Sequence, residues 1–581
     1  MSILKELEEE LKSIVKNAGY EVEKLALEES NRKDLGEYQL NDAMQLAKIY
    51  HENPREIASK IVSELEKNPH YTNINIAGPG FINISLSEDY ICEILNRMKE
   101  DIHSNINHKD KKKVLIDYGG ANVAKALHVG HLRSANIGEA LKRLANLVGY
   151  EAVGDAHLGD YGRPLGFVIK EIKEMYPSLP YFDESYTGNY EEVELPITNE
   201  DLESIYPQAS QKAKEDENYL EEGRIITAKI QNHDKGYYDL WKKIVEISKA
   251  DIKETYEKLN VNFEIWNGES DEMKYFPALM EKCESILTES EGAKVVEVSK
   301  EDDKAPVPPL LFIKSNGTVS YETTDLATIL ERKENINPDE MWYVVDGRQA
   351  LHFEQVFRVA RRAKLVEDNV LLEHVGFGTM NGKDGKPFKT RDGGVMNLKN
   401  LIQLVYEETY KKITNESITD EKEKENIATT VAIAALKYAD LLPFRGTDYI
   451  FEVEKFSDLE GKTGPYLLYS TIRMKSLLNK AGEIENSKAV KLKGQVEKDI
   501  ALTLLNLPTA IDKSLDTKSL NEICEYLYKL TSLYNKFYAD NKILSEEDND
   551  LKNSWIVLTE IVYKVNSLLL NTLGINIPNK M

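Results

Sequence analysis

The sequence predicts an α/β chain in three blocks: a small α+β block, a central block built on a parallel sheet, and an all-α helical bundle. Three observations carry this. Between 109 and about 400, short apolar runs alternate with helical patterns, as in "KVLIDY" (113–118), "MWYVVD" (341–346) and "EHVGFGTM" (373–380). Runs of that kind belong to parallel strands covered by helices on both faces. The alternating stretch "NINIAGPGFINISLS" (73–87) reads as two strands around a Gly-Pro-Gly turn and closes the first block, 1–108. From about 401 to 581 the apolar spacing is helical throughout.

The chain opens with an amphipathic helix that carries Ile3, Leu7, Leu11 and Ile14 on one stripe and stops at Gly19, too short for a coiled coil. In the central block a strand over "KVLIDY" leads to a helix beginning at about His131, with Ile137, Leu141, Leu144 and Val148 inward and a stop at Gly149. In the last block, "PYLLYSTIRMKSLLNKAG" (465–482) has Pro465 placed for a first helical turn and Gly482 for a stop. No internal repeat is found.

Composition narrows the function classes. At about 100–200 residues per domain, 581 residues suggest three or four domains. No apolar run approaches a membrane span, and "MSILKELEEELKSIV" lacks a signal-peptide pattern, so a chain neither secreted nor membrane-spanning is expected. The 3 cysteines, Cys92, Cys283 and Cys524, are too scattered for a CxxC zinc site or a disulfide framework, which suits a reducing cytoplasm. A net charge of −25 disfavours nucleic acid as a partner without excluding it, because basic residues can still gather on one face.

Two nucleotide motifs fail on inspection. "EGKTGP" (460–465) contains GKT, but Phe456 stands where a P-loop needs its first glycine, and "GGANVAKALHVGH" follows the first central strand where G-x-G-x-x-G is required. A different phosphate device is left. In "KALHVGHLRSAN" (125–136), His128 and His131 flank the start of a helix, where backbone N–H groups and the dipole attract anions. Imidazoles there can donate further hydrogen bonds, and Gly130 would let a phosphate or base approach the backbone. By themselves, two histidines at this spacing are more often structural or incidental than ligand-binding.

Their context distinguishes these readings. "HVGH" resembles the HIGH motif of class I aminoacyl-tRNA synthetases, and "DYGGANVAKALHVGHLRSANIGEAL" (117–141) resembles the arginyl-tRNA synthetase family at nearly every position. Further resemblances follow in order: "GDAHLGDYGRPLGFVI" (154–169), "SYETTDLATILER" (320–332), "VVDGRQALHFEQVF" (344–357), "GKDGKPFKTRDGGVMNL" (382–398), "EGKTGPYLLYSTIR" (460–473) and the terminal "LGINIPNKM". The resemblance implies a Rossmann-type catalytic domain at 109–400 with an insertion at about 163–320. It further implies an N-terminal tRNA-binding domain at 1–108 and an anticodon-binding helical bundle at 401–581.

It also implies an activity: arginine and ATP form arginyl-adenylate and pyrophosphate, and arginine then passes to the 3′ end of tRNA(Arg), activation itself requiring tRNA. His128 and His131, with Gly130 between them, inherit the ATP-binding and transition-state roles. ATP would come with Mg²⁺, with no metal ligand in the protein. The class's second motif, KMSKS, is matched by "KPFKTRDGG" (386–394), which departs from it at Thr390 and Arg391, with Lys389 alongside. Four glycines in 382–394 suit a loop that closes over triphosphate, and Lys386, Lys389 and Arg391 give more positive charge than a turn requires. Lys125 is implied as a phosphate contact where the loop lysine is missing.

For arginine the resemblance carries over Asp117, Asn122, Tyr321, Asp325 and Gln349; a guanidinium needs carboxylates able to accept its paired N–H groups. Gly119-Gly120-Ala121 departs from the family's Ser-Ser/Ala-Pro and removes any side-chain contact from Gly120. For tRNA it carries over Phe81 and Asn83 as D-loop contacts and Tyr534, Tyr538 and Met581 as anticodon surface. A monomer without membrane attachment is expected. Two rivals are the cysteinyl enzyme, disfavoured by the missing zinc ligands, and a tRNA-holding protein without catalysis, disfavoured by the intact motifs.

Overall fold

"KVLIDY" forms the strand from which the active cleft is built. The computed structural model describes residues 2–30, 32, 34–386, 388, 396–413, 420–482 and 487–581. Four parallel strands, β1 (Lys113–Asp117), β2 (Glu151–Asp155), β3 (Glu340–Tyr343) and β4 (Leu371–His374), lie in the order β4-β3-β1-β2. Val114, Leu115 and Ile116 are all fully buried, as a strand covered on both faces requires. The chain runs from β1 outward to β2 and then crosses to β3 on the other side. The β1–β3 boundary is therefore the switch point, at whose carboxyl end open α/β sheets bind ligands. Register places Asp155, Asp117, Tyr343 and His374 in one row along that end.

Three helices frame the cleft: α1 (Val129–Leu147), α2 (Tyr321–Asn335) and α3 (Ala350–Arg362). α1 starts two residues earlier than its apolar stripe suggested, with His128 as N-cap and His131 inside the first turn, because the two imidazoles supply the capping bonds. Ile137, Leu141, Leu144 and Val148 are buried as expected, and Gly149 ends the helix at φ +102°.

The segment read as an insertion is not wholly separate from the sheet. Its chain returns so that Ile265 and Gly268 bridge Asp155 and Leu158 in parallel fashion, lengthening the β2 edge. Among the described residues past 400, the helical pattern is interrupted by one two-residue strand. Pro443 and Gly446 break the helical pattern, and Tyr449–Ile450 pairs with Met380–Asn381. At the other end of the chain, the Gly-Pro-Gly turn joins Tyr71–Ala77 to Phe81–Leu86 within a four-stranded antiparallel sheet. Among the described residues no helix is long and apolar enough to cross a membrane.

The helix Glu421–Leu441 joins the bundle to the sheet block and is buried along its whole second half. Lys437 lies there fully buried, its Nζ without a hydrogen-bond partner, among Glu139, Arg143 and Asp440. Burial pushes the amine down from 10.5 to about 7. The unfolded chain therefore binds this proton below about pH 10.5 and the folded chain only below about pH 7. Stability accordingly falls as pH drops across that window and is flat in this term beneath it. Lys437→Met is expected to raise the unfolding midpoint at pH 7 and flatten its rise between pH 7 and 10, a several-degree change visible by scanning calorimetry; a midpoint lowered at both ends would show that the amine is satisfied.

Candidate active site

At the carboxyl ends of β1 and β3 a cavity of about 340 Å³ opens. It is lined by eight of the residues singled out from sequence: Asp117, Asn122, His128, Gly130, His131, Tyr321, Asp325 and Gln349. Its volume is that of a small-molecule site. The first turn of α1 forms part of the lining, and Asp117, Glu269 and Asp325 add carboxylates to it.

The histidine wall is defined by its hydrogen bonds. The backbone N–H of His128 donates to His131 Nδ1 at 3.0 Å, and that of Gly130 donates to His128 Nδ1 at 3.0 Å. Both Nδ1 atoms are thus acceptors, so each neutral ring carries its proton on Nε2. Burial, then the neighbouring His128 and Lys125 charges, push His131 down to about 3; burial and then Lys125 lower His128. The cleft therefore holds two neutral imidazoles with fixed tautomers, each with one N–H left to donate.

Gly130 lines the cavity, and a Cβ at this position would come within 2.8 Å of His128 Cε1, so the glycine also makes room for the imidazole. Gly130→Ala should displace the His128 ring and cost on the order of tenfold in kcat/KM; unaltered constants would show that the ring tolerates the methyl. The glycines that depart from the family pattern are also sterically required: Gly119 sits at φ +68°, with Phe263 Cζ 2.8 Å from where a Cβ would be, and Gly120 packs against the His157 carbonyl.

The carboxylate side is richer than the sequence suggested. Asp325 Oδ2 accepts from His352 Nε2 at 2.6 Å, and the Tyr321 ring lies 5.2 Å from that of His352. The Asp325 charge holds the Tyr321 hydroxyl above the usual phenol range, while the residue itself is largely exposed. Glu269, from the insertion, lines the same cavity; burial, then Asp325 and Asp160, push its carboxyl up to about 8. Asp117 is already engaged on one oxygen. Fully buried Arg332 donates from Nη2 to Asp117 at 2.6 Å and to Asp155 at 2.7 Å, with its guanidinium over the Tyr343 ring. Glu269, His352 and Arg332 escaped sequence reasoning. Glu269 has no periodic signal around it, whereas the other two lie inside the quoted motifs.

Lys125 is exposed at the rim, close enough to depress both histidines. Lys386 is exposed and does not line the cavity; Lys389, Thr390 and Arg391 lie outside the described residues. The loop that contains them is held at both ends. It leaves the strand Met380–Asn381 and returns where Leu398 N donates to the Leu127 carbonyl at 2.8 Å and His128 bridges Asn397. Among the described residues no group of three or more His, Cys, Asp or Glu side chains is placed to hold a metal ion.

Two outlying candidates need correction as surface residues. Asn83 is fully buried; its Nδ2 donates to Asn75 Oδ1 and its Oδ1 accepts from Gln39 Nε2, each at 3.0 Å, because a strand interior must satisfy its amides internally. Phe81 beside it is half-buried. Tyr534 is fully buried with its hydroxyl on Thr559 Oγ1, the usual fate of an aromatic on the inner face of a helix. What reaches the surface is Tyr538, with the Arg473 guanidinium 5.2 Å from its ring and 4.8 Å from that of Tyr469. Met581 and Tyr469 line a neighbouring cavity of about 260 Å³.

Comparison with known proteins adds three consecutive family matches. Residues 1–86 match the arginyl tRNA synthetase N-terminal domain, 91–453 the catalytic domain of tRNA synthetases class I (R), and 467–581 the DALR anticodon binding domain. The chain is 42% identical over 585 residues to an arginine–tRNA ligase of Alkaliphilus oremlandii, with 100% of both chains covered. It is 42% identical over 592 residues to that of Agathobacter rectalis, with 99% of both covered. Among solved structures it resembles arginyl-tRNA synthetase from Plasmodium falciparum, with a TM-score of 0.79, 25% identity and 99% of both chains covered. The Thermus thermophilus arginyl-tRNA synthetase shares the fold at 20% identity, with a TM-score of 0.76 and 100% of both chains covered.

Proposed function

The chain belongs to the arginyl-tRNA synthetase family, and from that membership we propose how this cavity carries out arginine–tRNA ligation. The observation that carries the reading is one cavity with neutral imidazole donors at a helix N-terminus and the carboxylates Asp325 and Glu269 elsewhere in its lining. The first arrangement suits a polyphosphate, the second a guanidinium.

Arginine sits with its guanidinium toward Asp325 and Glu269, aided by Asn122, Tyr321 and Gln349, and with its carboxylate toward the histidines. That carboxylate attacks the α-phosphate of ATP, and pyrophosphate leaves. Charge builds on the phosphate oxygens only as the transition state forms, and the His128 and His131 Nε2–H groups meet it there. Mg²⁺ enters with ATP as part of the substrate. Lys125, Lys386, Lys389, Thr390 and Arg391 contact the leaving phosphates as the loop closes. The terminal adenosine hydroxyl of tRNA(Arg) then attacks the arginyl carbonyl, and AMP departs. Asp117 acts mainly through Arg332, as a brace of the sheet's carboxyl edge.

The block 1–108 serves as the D-loop module; the catalytic module, expected over 109–400 with its insertion at 163–320, extends to about 453, and the anticodon module occupies 467–581 of the expected 401–581. Phe81 and the Tyr469–Arg473–Tyr538 face with Met581 are the tRNA contacts; Asn83 and Tyr534 support them from beneath. The protein acts as a cytoplasmic monomer, and activation waits for tRNA. The test is ATP–pyrophosphate exchange with and without arginine and tRNA. Exchange is expected only when both are present, and raised salt should depress it because tRNA contacts neutralise phosphates. Exchange with arginine but no tRNA would refute the coupling, and exchange indifferent to arginine would refute the whole reading.

A further inference from the structure

One carboxylate on the helix Glu421–Leu441 joins two separate segments around the cavity. Asp440, fully buried on the helix Glu421–Leu441, accepts from Arg133 Nε at 2.9 Å and the Tyr449 hydroxyl at 3.0 Å on Oδ1, and from Asn136 Nδ2 at 3.1 Å on Oδ2. Arg133 and Asn136 stand on α1, within about two turns of His128 and His131. Tyr449 stands on the strand paired with Met380–Asn381, the segment that leads directly into the 382–396 loop. Arg133 itself reaches past Asp440, donating from Nη1 to the carbonyls of Gly378 at 2.8 Å and Thr447 at 3.1 Å, with its guanidinium 5.0 Å from the Tyr449 ring.

The surroundings give this network a reason beyond cohesion. Ala432, Ala434, Ala435 and Ala439 are buried there together with Val431, Ile433, Leu436 and Tyr438, so apolar packing already supplies cohesion. A buried ion pair adds little net stability compared with well-packed apolar side chains, whereas it can fix register. The Arg133–Asp440 pair, with both side chains at most 1% exposed, is of this kind.

We propose that Asp440 is a positioning residue that holds the histidine turn of the ATP site and the paired strands Met380–Asn381 and Tyr449–Ile450 in one register with the helix Glu421–Leu441. The proposal rests on the reading of that turn as part of the ATP site; if that reading fails, the wild-type protein shows no arginine-dependent exchange, a failure separate from the outcomes below.

The experiment measures exchange kinetics per titrated active site, calorimetric arginine binding and tRNA binding on the full chain carrying Asp440→Asn or Tyr449→Phe. A misplacement of about 1 Å at a reacting centre costs on the order of 100-fold. Asp440→Asn should therefore raise the KM for ATP and lower kcat by at least about tenfold each, with arginine and tRNA affinities held within about twofold. Tyr449→Phe removes only the link to the loop-bearing strand and should raise the ATP KM about threefold alone. A merely structural Asp440 would lower the unfolding midpoint with the ATP KM unmoved, and that result overturns the proposal. Should Asp440→Asn fail to fold, Tyr449→Phe decides: a raised ATP KM supports the positioning role, an unchanged one overturns it.

Discussion

Replacing Asp325 by Asn is expected to weaken arginine use by roughly 2–5 kcal/mol in kcat/KM, the cost of leaving a buried guanidinium without its charge partner. The expectation follows from placement. Asp325 offers its second oxygen to the cavity because the first is fixed by His352 Nε2 at 2.6 Å, so the carboxylate is oriented before substrate arrives. Nucleotide binding should be spared, since the imidazoles rather than Asp325 meet the phosphates. Glu269 adds a dependence on pH. Its carboxyl, pushed up to about 8 in the empty cavity, must lose a proton when a guanidinium binds. Arginine affinity should therefore rise with pH up to about 8 and level off above it. Glu269→Gln should abolish that slope. Arginine KM and kcat for Asp325→Asn, both unaltered, would assign Asp325 to structure, and a Glu269→Gln enzyme that keeps the slope would place the titration elsewhere.

The division between what could and could not be read from sequence has a physical basis. Periodic signals survived folding wherever a single face met the core: Ile3, Leu7 and Leu11 lie buried on one helix, and Val114 to Ile116 fill a doubly covered strand. Contiguous motifs also survived, because His128, Gly130 and His131 form their site within one turn of chain. Asp325 and Gln349 met them across the sheet only through topology, which the motif order implied but spacing alone does not encode. Glu269 had no such aid. It comes from the end of a long excursion whose return to the β2 edge, through Ile265 and Gly268, depends on tertiary pairing.

Direction of side chains was the other blind spot. Tyr534 and Tyr538 are four apart on one helix, which predicts a shared face, yet the face curves from core to surface between them: Tyr534 is closed over by Thr559, and Tyr538 meets Arg473. Asn83 alternates correctly along its strand but points into a polar ladder of Gln39 and Asn75, so a polar residue in a strand pattern did not mark an exposed one.

Removal of either active-site imidazole should be nearly as damaging as the loss of Asp325, for a different reason. His128→Ala and His131→Ala are each expected to lower the activation rate at least about a hundredfold, since a donor aimed at charge that develops only in the transition state contributes roughly 3–4 kcal/mol. tRNA affinity should stay nearly unchanged, because neither ring belongs to the proposed tRNA faces. The caps complicate the comparison: His131 Nδ1 accepts the His128 N–H, so His131→Ala also removes a helix cap worth about 1 kcal/mol of local stability. His131→Asn can keep a cap acceptor without the imidazole Nε2–H, and its rate should be as low as that of the alanine variant. Protonation gives an independent check. With His131 pushed down to about 3, its ring stays neutral through the working pH range, so its removal should lower the rate without deleting a limb of the pH profile near 6.5. A limb near 6.5 in the parent that disappears in His131→Ala would mean that the ring works as a titrating acid. Parallel losses of tRNA affinity and rate would instead point to a damaged fold.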